Sequence, residues 1–202
     1  MQITQKNIFL KIWTAPREVF KFINDNQYGR YFTLLLILSA TLNGFKKTAK
    51  QNGLSELFFW EAVSFIMLQA LFLYIIYYIY AASISWSGKF INGKEDTQSI
   101  LRVLSYAMLP SILGIFFLIP LITVYGADIL KSNKDFPNAN PIYIGFAILN
   151  AALNIWTIVL CVIGLSEVQK FSIWKSILNM VVAAILPISI LLAVLSLFIS
   201  FK

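Results

Sequence analysis

Long runs without a charged side chain are the dominant pattern of this chain. Four of them cover residues 62–88, 103–127, 136–166 and 176–201. Each is longer than the roughly 20 apolar residues that cross a membrane as a helix. Unpaired backbone amides cannot be left in lipid, so such a run must be helical. The pattern therefore predicts an all-α, polytopic membrane protein.

A shorter charge-free run, residues 31–45, predicts a further span before these four. It would extend only about 22 Å at 1.5 Å per residue, so we expect the span to begin near Gln27, with Arg30 reaching the interface. The prediction is a five-helix transmembrane bundle with spans of about 28–45, 58–84, 103–125, 141–164 and 176–200. Residues 28–202 would form this membrane domain, and residues 1–27 would form a cytoplasmic or interfacial segment.

Residues 7–24 predict an N-terminal amphipathic helix. Apolar residues recur there at helical spacing, at Ile8, Ile12, Trp13, Val19, Phe20 and Ile23. Basic residues occupy the other side, at Lys11, Arg17 and Lys21. The pattern fits a helix lying on the membrane and equally a surface helix packed on the bundle. Pro16 divides the segment, and Thr14 is a suitable N-cap for its second part.

The charge distribution predicts the orientation and the kind of partner. Hydrophobic residues make up 59% of the chain and charged residues 12%, about half the charged share of a soluble domain. The 16 basic residues exceed the 9 acidic ones, but they lie in short loops beside the spans, where they match anionic lipid rather than nucleic acid.

The positive-inside rule gives a cytoplasmic N-terminus. Ten basic residues fall on the N-terminal side of the predicted spans, at Lys6, Lys11, Arg17, Lys21, Arg30, Lys89, Lys94, Arg102, Lys170 and Lys175. Six fall on the opposite side, at Lys46, Lys47, Lys50, Lys131, Lys134 and Lys202. The first three of these six oppose the predicted orientation.

The segments 99–110 and 176–187 share six identities in twelve positions, and a Lys-Phe pair precedes each. This likeness predicts that spans two and three repeat as spans four and five, related by rotation about the membrane normal. The other interpretation is a chance match between apolar sequences. In either case Pro110 and Pro187 should bend their helices.

Three motifs, in chain order, resemble those of the Yip family, named from Ypt/Rab-interacting proteins. They are Pro16–Phe20, then Gly88–Phe90 with Gly93 and Leu101–Pro110, and finally Trp156, Ile163–Leu165, Phe171–Ser172 and Lys175. The resemblance implies a five-helix bundle with a cytoplasmic N-terminus. Eukaryotic relatives are implicated in vesicle traffic and bind prenylated Rab-type GTPases. This chain, with its short N-terminal segment, is similar to the bacterial branch, so Rab binding is not carried over.

The residues that enzymes use are scarce in this sequence. It has no histidine, no Gly-x-Ser-x-Gly motif and no P-loop, and its acids are scattered over the loops. Ser-His and Cys-His pairs and His-based metal sites are thereby excluded. We predict no catalytic residue, cofactor or metal, and we expect the single cysteine, Cys161, to be a packing residue.

Two sets of polar residues are candidates for function. The intramembrane set is Glu61, Gln69, Asn150 and Asn154, which would either receive a solute or hydrogen-bond between helices. The basic set is Lys89, Lys94, Arg102, Lys170 and Lys175, which would either bind anionic lipid or an acidic partner, or only orient the protein.

The predicted function is that of a non-enzymatic membrane-organising, assembly or trafficking factor of the Yip type, acting through the basic set. The alternative is a small oligomeric transporter or channel that uses the intramembrane amides. Expected partners are anionic lipid headgroups and a membrane protein or a second copy, and no nucleic acid. The expected location is the bacterial cytoplasmic (inner) membrane.

Overall fold

The computed structural model describes residues 7–52, 59–94, 96–125 and 141–200, and within these ranges it contains helices and short turns only. The helices are α1 (Ile8–Lys11), α2 (Pro16–Asp25), α3 (Phe32–Asn52), α4 (Phe59–Lys89), α5 (Thr97–Ala107), α6 (Leu109–Tyr125), α7 (Pro141–Gln169) and α8 (Ile173–Ser200). The all-α class is confirmed.

Three described stretches are long and apolar enough to cross a membrane: Phe59–Lys89, Thr97–Leu118 and Ile144–Gln169. Phe32–Lys46 and Ile173–Ser189 are shorter apolar helices. Long apolar helices of this kind are typical of polytopic membrane proteins. The count of five spans stays a prediction.

The start of the first predicted span differs from the structure. Gln27 has a left-handed φ of 47°, and the Tyr28 N–H donates to the Ile23 carbonyl at 2.8 Å. These two residues close the end of α2, and α3 begins only at Phe32. A charge-free run shows which residues can lie in lipid. It does not show that a neighbouring residue, here Gln27, adopts a left-handed turn that separates two helices.

The N-cap of α2 also differs from the prediction. It is Ala15 rather than Thr14, and no side chain caps this helix end. The Thr14 N–H instead donates to the Lys11 carbonyl at 3.1 Å, in the turn after α1. Pro16 occupies the first helical position, where a missing N–H costs nothing, and this places the cap at Ala15.

The two prolines of the repeated segments lie in different settings. Helix α5 ends at Ala107 and α6 begins at Leu109, so the chain is interrupted at Met108, and Pro110 lies in the first turn of α6. Pro187 lies inside the continuous helix α8. A first-turn proline is tolerated because its N–H would have no helical partner, whereas Pro187 removes an interior hydrogen bond.

The chain forms two compact units. The first comprises Met1–Arg30, Ile76–Leu104 and Val159–Lys202, and the second comprises Tyr31–Ile75 and Ser105–Ile158. In the second unit, α3 contacts α6, and Gly44 lets α3 approach the backbone of α4, since an added Cβ atom would lie 3.1 Å from the Ile66 carbonyl oxygen. The first unit contains the N-terminal helices and the turns that join α4 to α5 and α7 to α8.

Candidate functional site

Three helices of the first unit end in the same kind of turn. The closing residues Gln27, Asn92 and Lys170 have left-handed φ angles of 47°, 69° and 58°. In each turn the next N–H donates back to a carbonyl five residues earlier, as from Gly93 to Gly88 at 2.8 Å and from Phe171 to Ser166 at 3.0 Å. This six-to-one bond defines the Schellman motif, and it sets the direction in which the chain leaves the helix.

The turn after α4 packs against the turn after α7 through two glycines. A Cβ atom added at Gly93 would lie 2.5 Å from Oε1 of Gln169 and 2.8 Å from the Phe171 ring. One added at Gly88 would lie 3.0 Å from Nε2 of Gln169. Gln169 and Phe171 are buried. The two turns can therefore pack closely because Gly88 and Gly93 have no side chain.

The three family-like motifs converge around Gly164. A Cβ atom there would lie 2.5 Å from Cγ1 of Val103 and 3.1 Å from two ring atoms of Phe20. Phe20 belongs to the first motif, Val103 to the second and Gly164 to the third, and Phe20 and Val103 are fully or almost fully buried. Motifs that lie far apart in the sequence thus form one packing centre.

Hydrogen bonds also join α4 to α8 within the first unit. Asn179 is 2% exposed; its Oδ1 accepts from the Ser87 hydroxyl at 2.5 Å, and its Nδ2 donates to the Ile84 carbonyl at 3.2 Å. The Tyr80 hydroxyl donates to the Met180 carbonyl at 3.2 Å. Interhelical bonds of this kind hold helices together where the surroundings offer no water.

The basic candidates all lie in this unit. Lys89 ends α4, Lys94 lies in the turn after it, Lys170 closes α7, and Lys175 lies in the first turn of α8; all four are exposed. Because the two turns contact each other, these four lysines lie on either side of one contact between turns. We call them the lysine cluster. Lys170 also pairs with Glu167 at 3.0 Å.

The fifth basic candidate, Arg102, differs from the four lysines because it is only partly exposed. It interacts with Asp96, the N-cap of α5, whose carboxylate accepts from the Ser99 N–H at 2.9 Å. That hydrogen bond lowers the pKa of Asp96, burial opposes the shift, and the positive charge of Arg102 adds to it. Arg102 therefore supports the start of α5.

Exposed aromatic residues accompany the lysines, and our sequence analysis did not identify them. Trp86 and Phe90 are 55% and 71% exposed and meet edge to face at 4.9 Å, and Trp174 is 80% exposed. Trp60 is 75% exposed near the other end of α4. Tryptophan at or next to the end of a charge-free run is the signal that could have identified these residues, since tryptophan is enriched at membrane interfaces.

The intramembrane candidates belong to the second unit and lie at different helix contacts. Gln69 lies beside Gly44, whose added Cβ atom would be 3.4 Å from the Gln69 Cβ. Asn150 lies beside Gly114 of α6, where an added Cβ atom would be 3.5 Å from Nδ2 of Asn150. Asn154 is exposed, and its Nδ2 donates to Oδ1 of Asn150 at 2.7 Å within α7.

Two other placements complete the comparison with the predicted sites. Glu61 is exposed in the first turn of α4. Cys161 is buried. Lys6, Lys131, Lys134 and Lys202, which entered the orientation count, lie outside the described residues.

Three described helical stretches, long and apolar enough to cross a membrane, define an integral, polytopic helical membrane protein. The family model of the Yip1 domain matches residues 10–197, nearly the whole chain. The chain therefore belongs to the Yip family, and the predicted family is confirmed. No curated protein matches the chain, and no solved structure matches it.

Proposed function

We propose that this Yip-family protein is a non-enzymatic membrane-organising factor. It acts through the lysine cluster, at the contact between the turn after α4 and the turn after α7. The proposal rests on one observation: Lys89, Lys94, Lys170 and Lys175 are exposed in or next to two turns that pack against each other. A cluster of this kind attracts anionic headgroups by about 1 kcal/mol per cation. An acidic protein partner would use the same charges.

The proposed setting is the bacterial inner membrane, with five spans and a cytoplasmic N-terminus. The count of basic residues supports this orientation, and it places the lysine cluster on the cytoplasmic side. The exposed Trp86 and Trp174 support a position at the headgroup level, where tryptophan is enriched.

The N-terminal helix α2 would contribute charge rather than insert into lipid. Its apolar residues Val19, Phe20 and Ile23 are buried in the protein, at 0%, 0% and 1% exposure. Arg17 and Lys21 are exposed on its other side. With its apolar side occupied, α2 supports the interpretation of a helix packed on the bundle, whose cationic side extends the lysine cluster.

Vesicle recruitment tests this function. The protein would be held in nanodiscs of neutral phosphatidylcholine, and its binding to vesicles containing phosphatidylglycerol would be compared with its binding to vesicles of phosphatidylcholine alone. We expect Lys89→Gln, Lys94→Gln and Lys170→Gln together to weaken binding to the anionic vesicles at least tenfold. Raised salt should reproduce the loss, since exposed charges are screened within about 10 Å at 0.1 M.

A matched control changes three lysines that the prediction places on the opposite side. Lys46→Gln, Lys47→Gln and Lys50→Gln remove the same charge and should leave recruitment unchanged. Equal losses in the two triple variants would contradict a localised site. Undiminished binding in the first variant would contradict the proposed function.

A further inference from the structure

A groove runs along the first unit between α4 and α8. It has a volume of about 400 Å³ and is lined by Tyr78, Ile79, Ala82, Ser83, Trp86 and Leu186. Its lining is overwhelmingly apolar, and the Ser83 hydroxyl is satisfied by the Ile79 carbonyl at 2.9 Å. The small side chains of Ala82 and Ser83 leave the hollow that the larger neighbours border. The groove therefore suits a hydrocarbon chain.

The groove leads toward two lysines. On α4 its lining residues follow helical spacing, and one turn beyond Trp86 the same stripe reaches Lys89. On α8 the stripe that contains Leu186 returns through Val182 to Lys175, again in steps of three or four. Because Asn179 of α8 bonds to Ser87 of α4, the two lysines lie at about the same level of the helix pair.

The surroundings decide what fills this groove. Helix α4 is one of the stretches apolar enough to cross a membrane, so its outer surface faces acyl chains. The lysines at the end of the groove carry positive charge at the level of Trp86 and Phe90, where headgroups lie. Apolar walls leading to paired cations are complementary to a lipid with a negative headgroup.

We propose that this groove binds one anionic glycerophospholipid, with an acyl chain between α4 and α8 and its phosphate at Lys89 and Lys175. This inference rests on the proposed function insofar as it uses the same end of the molecule. It goes further by assigning a defined lipid site, whereas vesicle recruitment requires only exposed charge.

Photo-crosslinking of the wild-type protein in nanodiscs tests the site. The probes would be phosphatidylglycerol and phosphatidylcholine that carry the same photoreactive acyl chain. We expect phosphatidylglycerol to label residues 78–86 and 182–186, and phosphatidylcholine to label them several-fold less. Labelling spread evenly over other exposed apolar residues, such as Leu71 and Phe72, or equal labelling by both probes, would overturn the proposal.

Variants separate the two parts of the site. Lys89→Gln with Lys175→Gln should reduce phosphatidylglycerol labelling by about fivefold per lysine, which corresponds to about 1 kcal/mol each. Lys94→Gln removes a charge outside the stripe and should leave phosphatidylglycerol labelling of the groove unchanged, even though it weakens vesicle recruitment. Ala82→Trp should abolish labelling of the groove by either probe, and Ala152→Trp, at an exposed position of α7, controls for the added bulk.

The same variants distinguish this inference from the proposed function. Ala82→Trp should leave vesicle recruitment intact, because it keeps every lysine. Retained labelling in Ala82→Trp would refute the groove and leave the recruitment surface standing. If Ala82→Trp does not fold, the comparison of the two probes on the wild-type protein still decides.

Discussion

Gly164 is the residue on which the packing of the three motifs depends. Its Cα faces Val103 and Phe20 so closely that an added methyl group would lie 2.5 Å from Cγ1 of Val103. We expect Gly164→Ala to lower the free energy of unfolding in detergent by about 1–3 kcal/mol, as overpacking of a core does. The measurement is equilibrium unfolding followed by circular dichroism.

Two further variants isolate this packing effect. Gly145 also lies in α7, and a Cβ atom added there would meet nothing within 4 Å, so Gly145→Ala reports helix propensity alone and should not destabilise. Val103→Ala should restore part of the stability lost in Gly164→Ala, because it vacates the clashing position. Equal effects of the two glycine variants would show that Gly164 is not constrained by its neighbours.

Asp96 makes a second residue-level prediction, about pH. The hydrogen bond from the Ser99 N–H holds the pKa of this carboxyl below its ordinary value, so the charged form stabilises the folded state. The contribution is present above the unfolded pKa and is lost as pH falls through the lower folded value. We expect Asp96→Ala to cost about 1 kcal/mol near neutral pH.

Asp96→Asn is the control for this prediction. The amide retains an oxygen that caps α5, so most of the stability at neutral pH should remain. The loss of stability at acid pH that this carboxyl contributes should disappear. Thermal melts at a series of pH values measure both effects. If the stability of Asp96→Asn fell at acid pH as much as that of the wild-type protein, another carboxyl would be responsible for the pH dependence.

At the level of helices, hydrogen bonds between elements should count for more than those within one. Asn179 joins α8 to α4 through Ser87 and Ile84, so Asn179→Leu should lower stability by about 1 kcal/mol or more, by removing interhelical bonds. Asn150→Leu with Asn154→Leu removes a bond inside α7 and should cost less. Thermal unfolding in the same detergent measures both.

The asparagine pair also tests the transporter alternative. If Asn150 and Asn154 line a path for a solute, the double leucine variant should lose cellular function while its abundance stays at the wild-type level. Under the organising function, activity should remain proportional to the amount of protein. A dead but abundant double variant, together with normal vesicle recruitment by the triple lysine variant, would favour transport.

For the whole molecule, orientation is the property to establish first. Cysteines at Asn7 and Asn92 should be shielded from an impermeant thiol reagent in intact cells, whereas one at Asn138, which lies outside the described residues, should label. The physical reason is the ten-to-six distribution of basic residues, which retains the more basic side in the cytoplasm. Cys161 would be replaced by Ser in all three.

Permeabilised cells provide the control, because every accessible position should label there. The opposite pattern in intact cells would place the lysine cluster outside and remove the basis for a cytoplasmic surface. It would also reverse the direction in which the groove between α4 and α8 opens.

The repeat suggested by the sequence places its two Lys-Phe pairs at different positions in the structure. Lys89 is the last residue of α4, whereas Lys170 is the left-handed residue after α7. The position equivalent to Lys170 in the α4 turn is Asn92, which closes the same Schellman motif. The two Lys-Phe pairs therefore are not structurally equivalent, because the motif depends on backbone angles and on what each turn packs against.

The sequence alone was sufficient to determine the helical class, the membrane as solvent and the family, because charge-free runs and chain-order motifs are local properties. It did not reveal that Phe20, Val103 and Gly164 meet, that Gln169 occupies the space left by Gly88 and Gly93, or that Arg102 supports Asp96. Nor did it decide between the two interpretations of the N-terminal segment, whereas the structure buries Val19, Phe20 and Ile23 of α2 in the protein. Apolar side chains suit lipid and protein interiors alike, so the neighbour of each face is decided only by close contact in the tertiary structure.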